Sequence, residues 1–241
     1  MLSLFISDLH LSEERPAANE RFIDFLESKA RAAQALYILG DLFEYWIGDD
    51  DLEAPFNAVM AGMLRGVSQH GVALYVMHGN RDFLMGERFC AATGARLLPD
   101  PSVHDISGTK TLLVHGDTLC TDDHDYQAWR RVARSPQWQH EFLGKPREER
   151  RRLILGLREK SKAVIEAKPA EIMDVNQGEV AAALLRHGVE RLVHGHTHRP
   201  GRHRLELEGG ARERWVLPDW YGAGGYLEIG AGKPRLVKFG Q

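Results

Sequence analysis

The sequence has no apolar run near the roughly 20 residues that a bilayer-spanning helix needs. It has only two cysteines, Cys90 and Cys120, and no marked excess of either charge. Each shortage excludes something. Without a spanning run the chain is not a helical integral membrane protein. Two cysteines cannot staple a chain of this size and fit a reduced, cytosolic setting better than an oxidising one. A formal net charge of -3 carries no general nucleic-acid signature, so nucleic acid is not an expected partner. The stretch Met1–Asp8 has no basic segment and meets an acid within one strand length, so it does not read as a signal peptide. What is present is a soluble mixture, 43% hydrophobic over 241 residues, ample for the core of one large α/β domain.

Apolar runs and breakers give the organisation. Strands are expected at Leu2–Ser7, Ala35–Leu39, Val72–Met77, Leu112–Val114 and Arg191–Val193. Helices are expected at Pro16–Ala30, Pro55–His70 with Gly71 as its cap, Gly86–Thr93, and Gln177–His187 capped by Asn176. After Pro200, short runs at Leu205–Leu207, Arg214–Leu217, Tyr226–Ile229 and Leu236–Phe239 read as antiparallel strands. Alternation of strand and helix followed by strands implies an α/β fold, two sheets sandwiched with helices outside. The stretch 121–169 differs: it is rich in Arg and Lys, carries Trp129, Trp138 and Phe142, and reads as a helical insertion over the ligand-bearing loops.

Five loops at the ends of apolar runs present Asp, His and Asn: Asp8-Leu9-His10, Gly40-Asp41, Gly79-Asn80-Arg81-Asp82, His115-Gly116-Asp117 and Gly195-His196-Thr197-His198. Any one of them alone is a turn or a surface pair. Five together, each at the carboxyl end of a strand where α/β sheets bind ligands, make a two-metal site the simpler reading. Two divalent ions about 3.5–4 Å apart can clamp a phosphate and activate water. They need one carboxylate reaching both, for which Asp41 is the natural candidate, together with hard oxygen and neutral nitrogen ligands, a mixture suited to Mn²⁺ or a similar borderline ion. Alternation along an extended chain would put Asp8 beside His10 and His196 beside His198. His78 and His194 precede motif glycines within strands and read as structural.

In this order the motifs resemble the calcineurin-like metallophosphoesterase family. The resemblance implies a four-layer α/β/β/α sandwich with a helical insertion, and two metal ions. It implies that Asp8, His10 and His198 hold one ion with Asp41, and Asn80, His115 and His196 the other with Asp41. Many members of that family carry a histidine after the Asn, which protonates an alkoxide leaving group. Here the position is Arg81, always charged and unable to act as a general acid, but able to fork onto phosphate oxygens. A phosphate monoester leaves well without a proton, since its second pKa is only about 6. Arg81 therefore favours pyrophosphate cleavage.

A narrower resemblance runs through Ile6-Ser-Asp-Leu-His-Leu11, Tyr37-Ile-Leu-Gly-Asp41, Trp46-Ile-Gly-Asp-Asp50, Met77-His-Gly-Asn-Arg-Asp-Phe83, His115-Gly-Asp-Thr-Leu-Cys-Thr-Asp122, Ile172-Met-Asp-Val175 and His194-Gly-His-Thr-His-Arg-Pro200. These segments resemble the UDP-2,3-diacylglucosamine pyrophosphatase family of lipid A biosynthesis. That implies two Mn²⁺ ions and water attack at the α-phosphate of UDP-2,3-diacylglucosamine. The products would be UMP and 2,3-diacylglucosamine 1-phosphate. Asp41, Arg81 and His196 would be catalytic, and Asn80, Arg81, Asp123, Ser161, Ile165, Lys168 and His196 would touch substrate. The family carries an Asn at the position of Ile165, and Asp122 competes with Asp123 for its contact. The resemblance further implies a monomer, cytoplasmic and peripheral on the anionic cytoplasmic face of the inner membrane. Residues 121–169 would then act as a cap, with Leu153, Ile154, Leu155, Leu157, Val164 and Ile165 lining an acyl groove and the basic residues meeting phosphates and membrane.

Overall fold

Strands β1 (Ser3–Ile6), β2 (Ala35–Leu39) and β3 (Ala73–Met77) are short, apolar and parallel; β1 and β2 are buried at every position. Burial of every residue means both faces are covered, as in a sheet layered between other elements. The computed structural model in which they are seen describes residues 2–167 and 172–240, without the side chains of 162–167. Helix α1 (Pro16–Ser28) has Pro at its first position and α2 (Pro55–Gln69) likewise, where the missing N–H costs nothing. α3 (Glu87–Thr93) stops at Gly94 in the left-handed conformation, φ 76°.

Beyond α3 come β4 (Arg96–Leu98), β5 (Ser102–Ile106) and β6 (Thr109–Leu113). β4 and the β5–β6 hairpin have no counterpart in the expected elements apart from the end of β6. Their runs are short and half exposed, so neither strand period nor length marks them. Then follow α4 (His124–Ala133), α5 (Pro136–Leu143), α6 (Arg147–Ala167), α7 (Gln177–Arg186) and β7 (Arg191–His194). The chain finishes with β8 (Gly201–Leu207), β9 (Gly210–Val216), β10 (Gly224–Ile229) and β11 (Arg235–Phe239).

One sheet has the order β11-β10-β1-β2-β3-β4 and the other β5-β6-β7-β9-β8. The last four strands are thus shared between the sheets as two antiparallel hairpins. β9, however, pairs in parallel with β7, which the expectation of a purely antiparallel tail did not contain.

Three apolar layers account for the sandwich. Phe22, Phe25, Leu26, Met60, Leu64 and Phe89 of the first three helices pack on Leu4, Ile6, Leu36, Ile38, Leu74 and Val76. Between the sheets lie Phe5, Tyr37, Leu39, Met77, Leu113, Val193, Trp215 and Leu227. On the far side Val180, Ala183 and Leu184 of α7 cover Leu112, Val114 and Leu192. The order helix, sheet, sheet, helix is the four-layer α/β/β/α arrangement, and the loops after β1, β2, β3, β6 and β7 carry the five motifs. No helix among the described residues is long and apolar enough to cross a membrane.

Candidate metal centre

The loops are tied to one another through the backbone before any side chain is considered. Asp8 N donates to Gly40 O (3.2 Å) and His10 N to Asp41 O (3.0 Å), closing the β1 and β2 loops together. Strand alternation is not what gathers the ligands: β1 ends at Ile6 and β7 at His194, so both Asp-x-His and His-x-His lie beyond the sheet. Asp8, His10, Asp41, His196 and His198 instead take left-handed backbone, with φ of 56°, 51°, 53°, 67° and 54°. Non-glycine residues seldom stay there, Asp and His more readily than most, at a cost of about 1–3 kcal/mol each. The motif glycines serve close approach. A Cβ on Gly79 would lie 2.1 Å from Asp41 Oδ1, and one on Gly195 would lie 2.2 Å from Asp8 Oδ2.

The seven side chains expected as ligands converge. His198 Nε2 is 3.5 Å from Asp8 Oδ1, His10 Nε2 3.7 Å from Asp41 Oδ2, and His115 Nε2 3.8 Å from Asp41 Oδ1. Asn80 Oδ1 lies 3.1 Å from His115 Nε2 and 3.0 Å from His196 Nδ1. Ligand atoms of Asp8, His10 and His198 fall within 4.8 Å of one another, and so do those of Asp8, Asp41 and His115. Asp8 thus falls in both groups, while the two oxygens of Asp41 face His10 on one side and His115 on the other.

The chemistry of these donors fits divalent cations. Burial pushes His10 down to about 4, and burial with the charge of His115 does the same to His196, so both are neutral imidazoles at pH 7, the form that ligates. Neither ring nitrogen of His10 has a well-aligned hydrogen-bond partner. His115 Nδ1 sits 2.9 Å from Leu39 O, which fixes the proton there and leaves Nε2 facing the centre. Burial would lower His115, but Asp41, Asp117 and Asp8 push it up to about 9. Burial would raise Asp8, yet the His198 hydrogen bond and the neighbouring imidazoles hold it well below the usual carboxylate range. A pocket that drives an imidazole to keep its proton is one short of positive charge.

The sequence profile of the calcineurin-like phosphoesterases matches residues 1–200. The chain belongs to that family. It is also 48% identical over 241 residues to the UDP-2,3-diacylglucosamine hydrolase of Aromatoleum aromaticum, covering 100% of this chain and 98% of that one. It is 48% identical over 239 residues to the protein of the same name from Pseudomonas aeruginosa, covering 99% of each. Serratia proteamaculans has another of that name, 46% identical over 239 residues and likewise covering 99% of each.

Several residues of this phosphoesterase site carry no signal that motif reading could find. Asp82 belongs to a motif, but its role shows only in three dimensions. Its Oδ1 accepts from Gly79 N (2.9 Å) and Asp41 N (3.3 Å), and its Oδ2 from Leu42 N (2.7 Å) and Phe43 N (3.3 Å). Arg15, at the head of α1, donates to Leu9 O, His10 O and Trp220 O at 2.9–3.0 Å and lies 4.3 Å over the Tyr221 ring. Tyr221 in turn stands 5.2 Å from the His10 ring and 5.4 Å from that of His198. Asp117 accepts from Tyr126 Oη (2.6 Å) and Arg130 Nε (2.7 Å), joining α4 to the centre. Arg134 Nη2 donates to Gly79 O (2.9 Å). His78 and His194 bond to carbonyls, Met85 O at 2.6 Å and Gly195 O at 2.8 Å, in keeping with structural roles. Cys90 and Cys120 are unpaired thiols.

The insertion differs in part from its sequence reading. Asp123 caps α4, accepting from Tyr126 N (3.1 Å), while Asp122 accepts from Asn176 Nδ2 at 3.0 and 3.1 Å. Ser161 is exposed on α6; Lys168 and the side chains of Val164 and Ile165 lie outside the described residues. Leu153 and Leu155 are each 42% exposed, whereas Ile154 packs into the first core layer. Four of the basic residues pair with acids of the loop after β2, Arg147 at the exposed edge and the other three more deeply. Arg147 meets Glu53, Arg150 meets Asp50 and Ile47 O, Arg151 meets Asp51, and Arg158 meets Glu44. Their acidic partners lie about 100 residues earlier in the chain, so spacing gives no hint of the pairing.

Proposed function

We propose that the chain hydrolyses the pyrophosphate of UDP-2,3-diacylglucosamine with two Mn²⁺ ions, by water attack at the α-phosphate, giving UMP and 2,3-diacylglucosamine 1-phosphate in lipid A synthesis. The observation that carries this reading is the match over essentially the whole chain, insertion included, to proteins of that name. It is supported by the convergence of the five loops.

Asp8, His10 and His198 with Asp41 would hold one ion, and Asn80, His115 and His196 with Asp41 the other. When bound, such ions polarise phosphate oxygens and lower the pKa of water. The protein's own groups do the positioning. Asp82 and Arg15 fix the loop backbones, and Leu39 O sets the tautomer of His115. Arg81, whose N donates to Asp41 Oδ1 at 2.8 Å, is anchored beside the centre and would fork onto the charge developing on phosphate. No proton donor is needed for a phosphate leaving group.

The helices of residues 121–169 would act as a cap over one continuous domain. Asp123, Ser161, Ile165 and Lys168 would meet substrate along with Asn80, Arg81 and His196. The exposed Leu153 and Leu155 suit acyl chains or the face of an anionic inner membrane, on which the enzyme would sit peripherally on the cytoplasmic side as a monomer.

The test is product analysis with UDP-2,3-diacylglucosamine, Mn²⁺ and ¹⁸O-labelled water. UMP carrying the label supports the reading. Label in the sugar phosphate places attack at the other phosphorus. Turnover of bis-p-nitrophenyl phosphate without turnover of the nucleotide lipid rejects the substrate.

A further inference from the structure

Glu44 belongs to none of the five motifs, yet it stands between the metal centre and the insertion. Its Oε2 lies 2.9 Å from His10 Nδ1, close enough for charge to act although the pair is not aligned as a hydrogen bond, and neither atom has a hydrogen-bond partner elsewhere among the described residues. Its other oxygen, Oε1, forms a close ion pair with Arg158 Nη2 on α6, and Arg158 Nη1 donates to Glu44 O at 2.6 Å. Glu44 N is held in turn by Leu11 O (3.0 Å), in the loop that bears Asp8 and His10. The carboxylate is largely shielded, with 15% of its side chain exposed, and the His10 side chain with 2%. At such burial the exchange of either partner for water is restricted.

We propose that Glu44 is a positioning residue that couples the seating of α6 to metal binding through the chain Arg158–Glu44–His10; this rests on the two-metal reading above. The negative charge of a carboxylate 2.9 Å from Nδ1 favours the tautomer with its proton on that nitrogen. It turns the Nε2 lone pair toward Asp41, whose Oδ2 is 3.7 Å away, and makes the imidazole a better donor to a cation. Arg158 holds the carboxylate at that angle. Ser161 follows Arg158 by less than one turn of α6, so the contact that orients His10 also fixes the helix segment assigned to substrate. Coupling between sites is reciprocal: a cation that fixes His10 must tighten the docking of α6, and loosening α6 must weaken the cation.

The experiment compares the full chain with Glu44→Gln, Arg158→Ala and the double variant. Mn²⁺ affinity is read by electron paramagnetic resonance, and amide hydrogen exchange is followed across 147–161 with and without Mn²⁺. Gln is isosteric and keeps the fold. Its loss of charge is expected to weaken the tighter Mn²⁺ about 10- to 100-fold, the usual scale for a partner of a ligating His. Arg158→Ala should weaken it less, and the double variant no more than Glu44→Gln alone, because both act through one path. Mn²⁺ should slow exchange in α6 of the parent and leave it unchanged in Glu44→Gln. Unaltered Mn²⁺ affinity in Glu44→Gln, or strictly additive effects in the double variant, would overturn the coupling while leaving the metal reading intact. A parent chain that binds no Mn²⁺ would instead remove the metal reading itself.

Discussion

Replacing Asp82 by Asn changes one atom of a fully buried side chain and should cost more than most surface truncations. The carboxylate presents two acceptors to four backbone donors, Gly79 and Asp41 at one oxygen, Leu42 and Phe43 at the other. An amide keeps one acceptor and aims its NH₂ at the remaining pair, whichever way it is turned. Two buried N–H groups then lose their partner with no water to replace it, at about 1–3 kcal/mol each, so about 2–6 kcal/mol in all. Set against the roughly 5–15 kcal/mol of a typical domain, this is a large fraction. Urea unfolding of the metal-free parent and variant measures it. Asp105→Asn is the control: it also removes a carboxylate from a backbone N–H, that of Gly108 at 2.8 Å, but at an exposed turn where water substitutes. The control should shift by less than about 1 kcal/mol. An Asp82→Asn loss no larger than the control's would refute the claim that this carboxylate clamps the Asp41 and Gly79 loops.

Gly195→Ala should abolish Mn²⁺ binding and also lower the melting temperature of the metal-free protein, because its Cβ would meet the buried Asp8 Oδ2 and Ser7 Oγ, each at 2.2 Å, an overpacking worth about 1–3 kcal/mol; a calorimetric titration that still shows the parent's affinity opposes this. Arg81→His should lose most pyrophosphate turnover while keeping or gaining activity on alkyl phosphodiesters, a change in kcat/KM ratio that paired assays would detect; equal ratios in both proteins would set aside the leaving-group argument. His115 titrates at about 9 in the metal-free fold against 6.5 in the unfolded chain. Being raised, it stabilises fully below 6.5, and that contribution is lost as pH rises through 9. The metal-free melting temperature should therefore fall across that window, while Mn²⁺ affinity climbs by up to about tenfold per pH unit as the competing proton leaves. Flat profiles, or a slope kept in His115→Gln, would contradict it.

Much of this was legible in the sequence because the relevant signals are local. Strands such as Ala35–Leu39 announce themselves as unbroken apolar runs, and helices such as Pro55–Gln69 by their period and end residues. The seven candidate ligands could be picked out because metal chemistry restricts residue type to Asp, His and Asn, and the fold restricts place to strand ends. β4 and β5 were not, since a strand such as Ser102–Ile106, which alternates partly buried and exposed residues before one buried apolar residue, differs little from a loop. The fate of the basic insertion was not legible either. A helix bearing Arg147, Arg150, Arg151 and Arg158 reads as a cationic face until Glu53, Asp50, Asp51 and Glu44 are brought against it by the fold.

The deepest omission concerns the backbone, and it changes what the ligands mean. Five of the seven candidate ligands stand in left-handed conformations. At about 1–3 kcal/mol apiece their total cost is of the same order as the net stability of a domain. No local contact repays that sum. It is met by three apolar layers, the first of which reaches into the motif loops through Leu9, Leu42 and Phe43, and by fixed polar anchors at the centre. Asp82 holds Asp41 N, the guanidinium of Arg15 holds His10 O, Asp8 receives His196 N at 2.9 Å, and Asp8 O receives Trp220 N at 3.1 Å. All of these anchors are made by the protein alone. The loop backbones are thus held by contacts within the protein itself, and a cation bound among these side chains would offset their crowded carboxylate charge. That restraint also explains why Gly79 and Gly195 sit hard against Asp41 and Asp8: a strained loop can keep its ligand in place only where its neighbours leave it no room to relax.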